Sequence, residues 1–347
     1  MTVATLTTAM SAENRKAVIA GTIGNVLEWY DFGVYGYFAT TISQLFFPGD
    51  DKTISLLKAF AVFGVGFIMR PVGSVLFGIY GDRFGGRLAL SAVIFLPFSP
   101  EAFISWGWRV PFLLGILVGI LGAYLRWRLS DTPKFTEIEQ HGELAESPLI
   151  ETFTRYRREA LTIFGLTLHN TVAYYIPIIY MTSYIVSIAK LAPSSALWIG
   201  TGCLLVFVIL IPIWGSLSDR IGRKPLLLLS SGGYIILAYP LFMMASSGSA
   251  TLALIAQMVM IVFLSFFSGA CPAAYSEILP TRVRYTALSI GYNIAVAVFG
   301  GFAPFIATWL IGVTGSNLAP SYYLIAAATI TFLVVLRIPE TAFEPLR

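Results

Sequence analysis

The chain has 347 residues, of which 57% are hydrophobic and only 12% carry a charge, and its mean hydropathy is +0.79. Soluble domains carry about 25% charged residues, so this composition excludes a soluble fold and is typical of a membrane protein. The net charge of +4 comes from basic residues spread singly between apolar segments, which argues against a nucleic-acid-binding surface.

Long apolar segments follow one another along the chain. A helix needs about 20 apolar residues to cross a bilayer. Nine segments reach about this length, and a tenth, at residues 88–98, is shorter. As a helix it would rise only about 16 Å, too little to cross unless the bilayer thins or flanking residues extend the segment. The sequence therefore predicts an all-α, polytopic membrane helix bundle with about ten membrane segments. The nine long segments lie near residues 17–47, 55–80, 108–127, 160–188, 195–217, 225–245, 251–275, 285–312 and 320–337.

The distribution of basic residues predicts the orientation. If the short segment completes a crossing, seventeen Lys and Arg residues fall on one face and four on the other. Because cytoplasmic loops are enriched in these residues, both termini and the loop at residues 128–159 are expected in the cytoplasm, with the chain in the inner (plasma) membrane. The first apolar segment, from Val18, is predicted to be retained rather than cleaved. Cys203 and Cys271 lie inside apolar segments, which leaves no pattern for a disulfide framework or a metal site.

Two internal repeats indicate that the first half is shortened. Residues 78–87 recur as residues 215–224 at an offset of 137, whereas residues 129–132 recur as residues 338–341 at an offset of 209. Two halves of a parallel repeat should share one offset. The difference of 72 predicts a deficit of about two helices and part of a third, located between residues 87 and 106.

The repeated Gly-x-x-x-Asp-Arg-x-Gly-x-Arg loop resembles the signature loop of the major facilitator superfamily. Residues 24–32 (GNVLEWYDF) and 105–112 (SWGWRVPF) are similar to its metabolite:proton symporter branch, whose members carry proline and betaine, α-ketoglutarate, citrate or shikimate. The resemblance implies two six-helix bundles. It gives a truncated N-terminal bundle at residues 1–130, a cytoplasmic inter-bundle loop at 131–159 and a C-terminal six-helix bundle at 160–347. Gly86 departs from the family pattern, which has a basic residue there.

Charged residues inside the first two segments are the candidates for proton coupling. Glu28 and Asp31 are three residues apart and share a helix face with Asn25. A carboxylate at membrane depth needs a cavity or a partner, and burial raises its pKa toward physiological pH. Arg70 is the natural counter-ion. The alternative is that these residues form a fixed ion pair that only locks two helices together.

Polar and aromatic residues in later segments are the candidates for lining the substrate site. Asn170 and Tyr174 are four residues apart, and tyrosine rings can hold a quaternary ammonium group by cation–π attraction. The alternative for such aromatics is plain packing. His169 either carries a proton or hydrogen-bonds to a neighbouring helix. Tyr292 and Asn293 are expected as polar cavity lining.

The two signature loops are predicted to gate the cytoplasmic side, with a simple topology anchor as the alternative. Glu277 is expected to form a similar clasp with Arg282 and Arg284, or a plain interfacial charge cluster. The loop residues concerned are Gly78, Asp82, Arg83, Gly85, Arg87, Gly215, Asp219, Arg220, Gly222, Arg223 and Lys224.

The resemblance implies a secondary active transporter that couples proton entry to uptake of a small polar metabolite, and the residues around Asn170 favour a proline- or betaine-like zwitterion, an osmolyte. One alternative is a dicarboxylate such as α-ketoglutarate or citrate, and another is a truncated remnant that does not transport. The expected partners are the substrate, protons and the lipid bilayer, without nucleic acid, and the expected state is a monomer. No catalytic residues, cofactor or metal are expected, because no P-loop, metal cluster or nucleophile–base pair is present.

Overall fold

The computed structural model describes residues 35–81, 154–280 and 284–344, with only the backbone for residues 68–81, 285 and 286. The chain divides into two compact units, one of Met1–Tyr35 with Gly73–Asp131 and the other of Gly36–Val72 with Thr132–Arg347. Nearly all described residues belong to the second unit. The division into segments 1–130, 131–159 and 160–347 stays a prediction.

Every regular element in the described ranges is helical. The prediction of an all-α fold is therefore confirmed for this part of the chain. The elements are α1 (Ala39–Phe46), α2 (Lys52–Gly81), α3 (Arg157–Tyr174), a first π-helical segment (Tyr175–Tyr180), α4 (Met181–Ser187), α5 (Pro193–Ile221), α6 (Arg223–Ala245), α7 (Ala250–Ile278), α8 (Arg284–Ala295), a second π-helical segment (Val296–Gly301), α9 (Ala303–Thr314) and α10 (Ala319–Arg337).

Four of these helices, α5, α6, α7 and α10, are long and apolar enough to cross a membrane. Residues Ala287–Gly301 and Ala303–Thr314 form a fifth crossing if they are counted as one span bent by 40°. These five agree with the apolar segments expected near residues 195–217, 225–245, 251–275, 320–337 and 285–312. A multi-pass membrane protein follows from their length and composition.

Local sequence sets several helix boundaries. Pro193 begins α5, where its missing N–H costs nothing. Gly222 separates α5 from α6 with φ of +101°, a backbone conformation that glycine adopts at no steric cost. Ser249 caps α7 by accepting a hydrogen bond from the backbone N–H of Leu252 at 3.4 Å. Gly315 ends α9 with φ of +67°.

The C-terminal helices pack around a buried apolar core. Helix α6 packs against α7 and α10, α7 also packs against α5, and α3 packs against α8 and α10. The core includes Ile163, Leu227, Phe267 and Val335, one from each of four helices. Because lipid is as apolar as these side chains, tight packing rather than the hydrophobic effect holds membrane helices together.

Two π-helical segments interrupt the otherwise α-helical spans. The first contains Pro177, which has no N–H to donate and whose ring cannot follow the α-helical pattern. The second ends in Gly300 and Gly301, and the side chains of Thr171 and Tyr175 lie directly against Gly300. These segments bring helices from distant parts of the chain into close approach.

Candidate functional site: an aromatic cluster and a charge cluster

Five aromatic side chains meet where α2, α3, the first π-helical segment and α5 come together. Tyr175 lies centrally, with ring centroids 5.3 Å from Phe67, 6.2 Å from Phe63 and 5.5 Å from Tyr174. Tyr174 also contacts Phe207 at 6.1 Å. The edge-to-face contacts of Tyr175 present ring edges to ring faces, the arrangement that aromatic quadrupoles favour. We refer to these five residues as the aromatic cluster.

One polar pair lies a helical turn from this cluster. The amide oxygen of Asn170 accepts a hydrogen bond from the Ser268 hydroxyl at 3.1 Å, which joins α3 to α7. Asn170 is half-buried, and Tyr174 follows it four residues later on the same face of α3. The structure therefore places two of the predicted site residues, Asn170 and Tyr174, together.

His169 lies in a different environment, inside the C-terminal helices. Its side chain is fully buried between the rings of Tyr234 and Phe267, each with its centroid 5.0 Å away. Its Nε2 lies 3.2 Å from the Ser230 hydroxyl, and its backbone N–H donates to the Thr331 hydroxyl at 3.2 Å. These contacts join α3 to α6 and α10, and they fit the alternative of a helix–helix contact.

The remaining predicted lining residues lie in α8. Tyr292 packs edge-to-face on Tyr275, with centroids 6.3 Å apart. The amide nitrogen of Asn293 donates to the Ser289 hydroxyl at 3.1 Å. Neither contact includes a residue of the aromatic cluster.

Several predicted residues cannot be placed as side chains. Asn25, Glu28 and Asp31 lie outside the described residues, and Arg70 is described only as part of the α2 backbone. For the first signature loop, only Gly78 is described, as part of the α2 backbone. Its other predicted residues, Asp82, Arg83, Gly85 and Arg87, lie outside the described residues, and so does Arg282, the predicted partner of Glu277.

The second signature loop forms a charge cluster with α7 and with the segment that follows α10. The guanidinium of Arg223 donates to Asp219 at 2.6 Å, to the Ser218 hydroxyl at 2.5 Å and to Glu277 at 2.9 and 3.2 Å. The hydroxyl of Thr341 donates to the other oxygen of Glu277 at 2.6 Å. We define the charge cluster as Asp219, Arg223, Glu277, Thr341 and the neighbouring Glu340.

Glu340 caps the amino terminus of α6. Its carboxylate accepts hydrogen bonds from the backbone N–H groups of Arg223 at 2.8 Å and Lys224 at 3.0 Å, and from Thr341 and Ala342 in its own loop. Partial burial raises the pKa of Glu340, but these four backbone hydrogen bonds outweigh it and hold the pKa below its usual 4.5. A carboxylate is also stabilised by the positive end of the helix dipole.

Other loop residues have separate contacts. The Lys224 ammonium donates to the carbonyls of Leu336 and Ile338 at 3.0 and 2.8 Å, where α10 ends. Gly222 lies against the Glu340 side chain, and Arg220 is exposed. Gly215 lies against the backbone of Gly269 in α7. A Cβ added at Gly215 would lie 3.4 Å from the carbonyl oxygen of Gly269. The Arg284 guanidinium donates to the Leu279 carbonyl at 3.1 and 3.0 Å.

A cavity of about 200 Å³ opens beside the charge cluster. Charged groups of both signs line it, among them Arg158, Arg337, Glu159 and Glu277. This volume is below the range of about 300–1,000 Å³ that is typical of small-molecule sites. Its lining includes Glu277 and Thr341 of the charge cluster and no residue of the aromatic cluster, so we assign the cavity to the charge cluster.

Sequence reasoning missed several residues of these sites, among them Phe63, Phe67 and Phe207 of the aromatic cluster and Ser268. It also missed the importance of two polar residues, Glu340 and Gln257. Glu340 entered only as part of a repeated motif, although the repetition of an acidic residue before Thr in both halves was a signal. Gln257 was not singled out at all. It is the only side-chain amide in α7, and its amide nitrogen donates to the carbonyl of Pro177 at 2.7 Å.

A family comparison identifies the chain. The model of the family described as "Sugar (and other) transporter" matches residues 16–105 and 144–347, which is most of the chain. The chain belongs to this family of membrane transporters. The predicted resemblance to the major facilitator superfamily is thereby confirmed, and so is the prediction of a transporter of small molecules rather than an enzyme.

Similar proteins are named for related substrates. The chain is 29% identical to the "Proline/betaine transporter" of Escherichia coli (strain K12), with 96% of this chain and 85% of the relative covered. The same shares and identity hold for the "Glycine betaine/proline/ectoine/pipecolic acid transporter OusA" of Dickeya dadantii (strain 3937). A "Putative proline/betaine transporter" of Staphylococcus aureus (strain COL) is 28% identical, with 92% of this chain and 87% of the relative covered.

The alignment lengths agree with a shortened chain. The match to the Escherichia coli protein extends over 425 aligned positions but includes only 96% of the 347 residues of this chain, so about 90 of these positions are gaps in this chain. This number is larger than the deficit of 72 residues that the internal repeats predict, but of the same order.

Proposed function

We propose that this transporter is a proton-coupled symporter that imports a small zwitterion of the proline or betaine type across the cytoplasmic membrane, with both termini in the cytoplasm. The observation that carries the proposal is the similarity, over 96% of the chain, to a protein named as a proline/betaine transporter. The aromatic cluster and the Asn170–Ser268 pair support it with suitable chemistry.

A betaine-like substrate presents a cationic nitrogen and a carboxylate. Aromatic faces attract the cation, most strongly where water is excluded. Tyr174 is the one ring of the aromatic cluster that is only half-buried, and it is the ring that we expect to meet the cation. The Asn170–Ser268 pair offers hydrogen-bonding groups one helical turn from Tyr174. A dicarboxylate substrate would need two basic groups instead. Arg70 is the only basic residue deep in an apolar segment, so the zwitterion is favoured.

Proton coupling is assigned to Glu28 and Asp31, with Arg70 as counter-ion. His169 is left out of the proton path because it lies between two aromatic rings and joins α3 to α6 and α10. If Glu28 or Asp31 carries the proton, replacing that residue by its amide should abolish proton-driven accumulation of the substrate. Exchange of substrate across the membrane should remain.

The charge cluster is assigned the role of a cytoplasmic latch. Arg223 joins the end of α5 to α7 through Asp219 and Glu277, and Glu340 joins the segment after α10 to the start of α6. Such hydrogen-bonded ion pairs have discrete alternative arrangements when helix bundles rock. The latch holds the cytoplasmic ends of these helices together in one state of the transport cycle.

Uptake by membrane vesicles tests the proposal. Vesicles that contain the full chain are given radiolabelled proline, betaine or α-ketoglutarate, with and without an inward proton gradient, and vesicles without the protein serve as control. We expect gradient-dependent uptake of proline and betaine that a protonophore abolishes. If the vesicles take up α-ketoglutarate and neither proline nor betaine, the substrate is a dicarboxylate and the proposed zwitterion is wrong.

The alternative of a transport-inactive remnant is favoured by one observation, the gap of about 90 aligned positions. Losing helices from one bundle would expose polar groups to lipid. The deciding result is the absence of uptake and exchange for all three substrates in vesicles where protease protection shows correct insertion. That result would overturn the symporter proposal.

A further inference from the structure

Gln257 is a buried amide in the first third of the membrane-spanning helix α7. Its side chain is 1% exposed, and its neighbours on α7, Ala253, Ala256, Met260 and Ile261, are fully buried. Moving an amide from water to such surroundings costs free energy unless its polar atoms are hydrogen-bonded. A glutamine at this position therefore needs a specific reason.

One atom of this amide has a partner on another helix. Its Nε2 donates to the carbonyl oxygen of Pro177 at 2.7 Å, across 80 residues of sequence. Among the described residues, its Oε1 is buried without a hydrogen-bond partner. The amide is therefore held by its donor end, and a donor is what this position supplies.

The acceptor lies in an irregular part of the backbone. Pro177 is the third residue of the π-helical segment Tyr175–Tyr180, where its ring prevents the regular α-helical hydrogen bonds. The missing N–H of Pro177 leaves a carbonyl one turn earlier without its usual donor, so this part of the helix has fewer backbone hydrogen bonds to hold it. The bond from Gln257 to the Pro177 carbonyl adds a contact from another helix at this point. The Gln257 amide fixes the backbone at the point where the helix changes its register.

The same segment carries the aromatic side chains. Tyr175 contacts Phe63 and Phe67, and Tyr180 contacts Phe60 with ring centroids 6.0 Å apart. The position of these rings depends on the backbone of residues 175–180. Gln257 has no ring contact with the aromatic cluster and acts on it through this backbone.

We propose that Gln257 is a positioning residue whose amide N–H, bound to the Pro177 carbonyl, holds the first π-helical segment and thereby sets the geometry of the aromatic cluster for substrate. This inference rests on the proposed function for its consequence in transport. Its structural part, the anchoring of the segment, is independent of whether the chain transports.

Hydrogen–deuterium exchange tests the structural part on the purified full chain in detergent. Gln257→Met keeps the side-chain length and removes the donor. We expect amides of residues 174–183 to exchange about five- to ten-fold faster, the effect of losing one buried hydrogen bond on local opening. The matched control is Ser265→Ala, which removes a hydrogen bond between Trp214 and the same helix. This control should leave residues 174–183 unchanged.

Substrate affinity tests the consequence in transport. For Gln257→Met we expect the KM for proline or betaine to rise about five-fold, with Vmax per inserted protein changed less than two-fold, since one hydrogen bond positions the site. A purely structural role would lower the amount of folded protein and leave KM unchanged.

The outcomes separate the two proposals. Unchanged exchange at residues 174–183 in Gln257→Met overturns the positioning role, whatever the transport result. Faster exchange there with an unchanged KM overturns the link to the substrate site. If the unsubstituted chain shows no uptake, the proposed function fails, while faster exchange in the variant still supports the anchoring of the segment by Gln257.

Discussion

The carboxylate of Glu340 accepts a hydrogen bond from the backbone N–H of Arg223 at 2.8 Å, although the two residues are 117 positions apart. It thereby caps helix α6 with a group from the other end of the C-terminal half. The first N–H groups of a helix have no partner within the helix, so a carboxylate from elsewhere in the chain can satisfy them.

Removing this cap should destabilise the C-terminal helices. We expect Glu340→Ala to lower the free energy of unfolding by about 1–2 kcal/mol, the usual cost of losing a helix cap. Glu340→Gln, which keeps an acceptor oxygen, should cost less. Thermal unfolding in detergent measures the difference. The control is Asp50→Asn, at an exposed position, which should have the same midpoint as the unsubstituted chain.

The same residue predicts a pH dependence. Because the pKa of Glu340 is lower in the folded chain than its usual 4.5, the unfolded chain binds the proton first as the pH falls. The stabilisation is present above the usual pKa and is lost as the pH falls through the lower, folded pKa. The difference in unfolding midpoint between the unsubstituted chain and Glu340→Gln should therefore shrink between about pH 5 and pH 3. A constant difference over this range would contradict the charged cap.

Arg223 and Glu277 should be energetically coupled. Their side chains are 10% and 12% exposed, so removing Arg223 leaves a largely buried carboxylate unpaired. We expect Arg223→Gln to cost about 1.5–3 kcal/mol, and the same change in a Glu277→Gln background to cost clearly less. A double-mutant cycle on thermal unfolding measures this coupling. Asp219, which is 65% exposed, is the matched control and should couple to Arg223 more weakly. Additive costs for Arg223 and Glu277 would contradict an energetic coupling between these two residues.

His169 should be dispensable for proton coupling. Its surroundings include Tyr234, Phe267 and Ser230, which join helices of the C-terminal half. We expect His169→Gln, which keeps a hydrogen-bonding group for Ser230, to retain accumulation driven by a proton gradient. The measurement compares accumulation with exchange in the same vesicles. Loss of accumulation with exchange preserved would make His169 the coupling residue.

The five membrane-spanning segments found in the described residues were predictable from sequence, but internal irregularities of the helices were not. The apolar segment at residues 225–245 predicted α6, and in the structure this helix begins two residues earlier, at Arg223. It begins there because Gly222 separates it from α5. Hydropathy does not report hydrogen-bond register, so the π-helical segments within the segments at 160–188 and 285–312 were missed. Pro177 was the one local signal for the first of them.

The candidate sites were predictable only where partners are close in sequence. Helical spacing placed Asn170 and Tyr174 on one face of α3. The partner of Gln257 lies 80 residues away and that of Glu340 lies 117 residues away. No local pattern says which distant backbone group such a side chain reaches, since this depends on how the helices pack.

Two glycines of α2 give a matched pair for testing the packing of this helix against the C-terminal half. A Cβ added at Gly64 would lie 2.6 Å from the ring of Phe302, whereas within the described residues a Cβ at Gly66 would meet nothing within 4 Å. We expect Gly64→Ala to lower the free energy of unfolding by about 1–3 kcal/mol, because a ring must move to make room. Gly66→Ala should be neutral or slightly stabilising, since alanine favours helices. Thermal unfolding of the two variants measures this difference.

A second substitution decides whether the Phe302 ring causes the loss of stability in Gly64→Ala. In a Gly64→Ala background, Phe302→Leu replaces a rigid ring by a smaller, branched side chain that can turn away from the added methyl group. We expect this double variant to recover at least half of the lost stability, because the clash is removed at its source. If Gly64→Ala and Gly66→Ala have the same unfolding midpoint, the close contact between α2 and Phe302 is absent in solution. If the double variant is no more stable than Gly64→Ala, the loss of stability comes from another contact of α2 and not from the Phe302 ring.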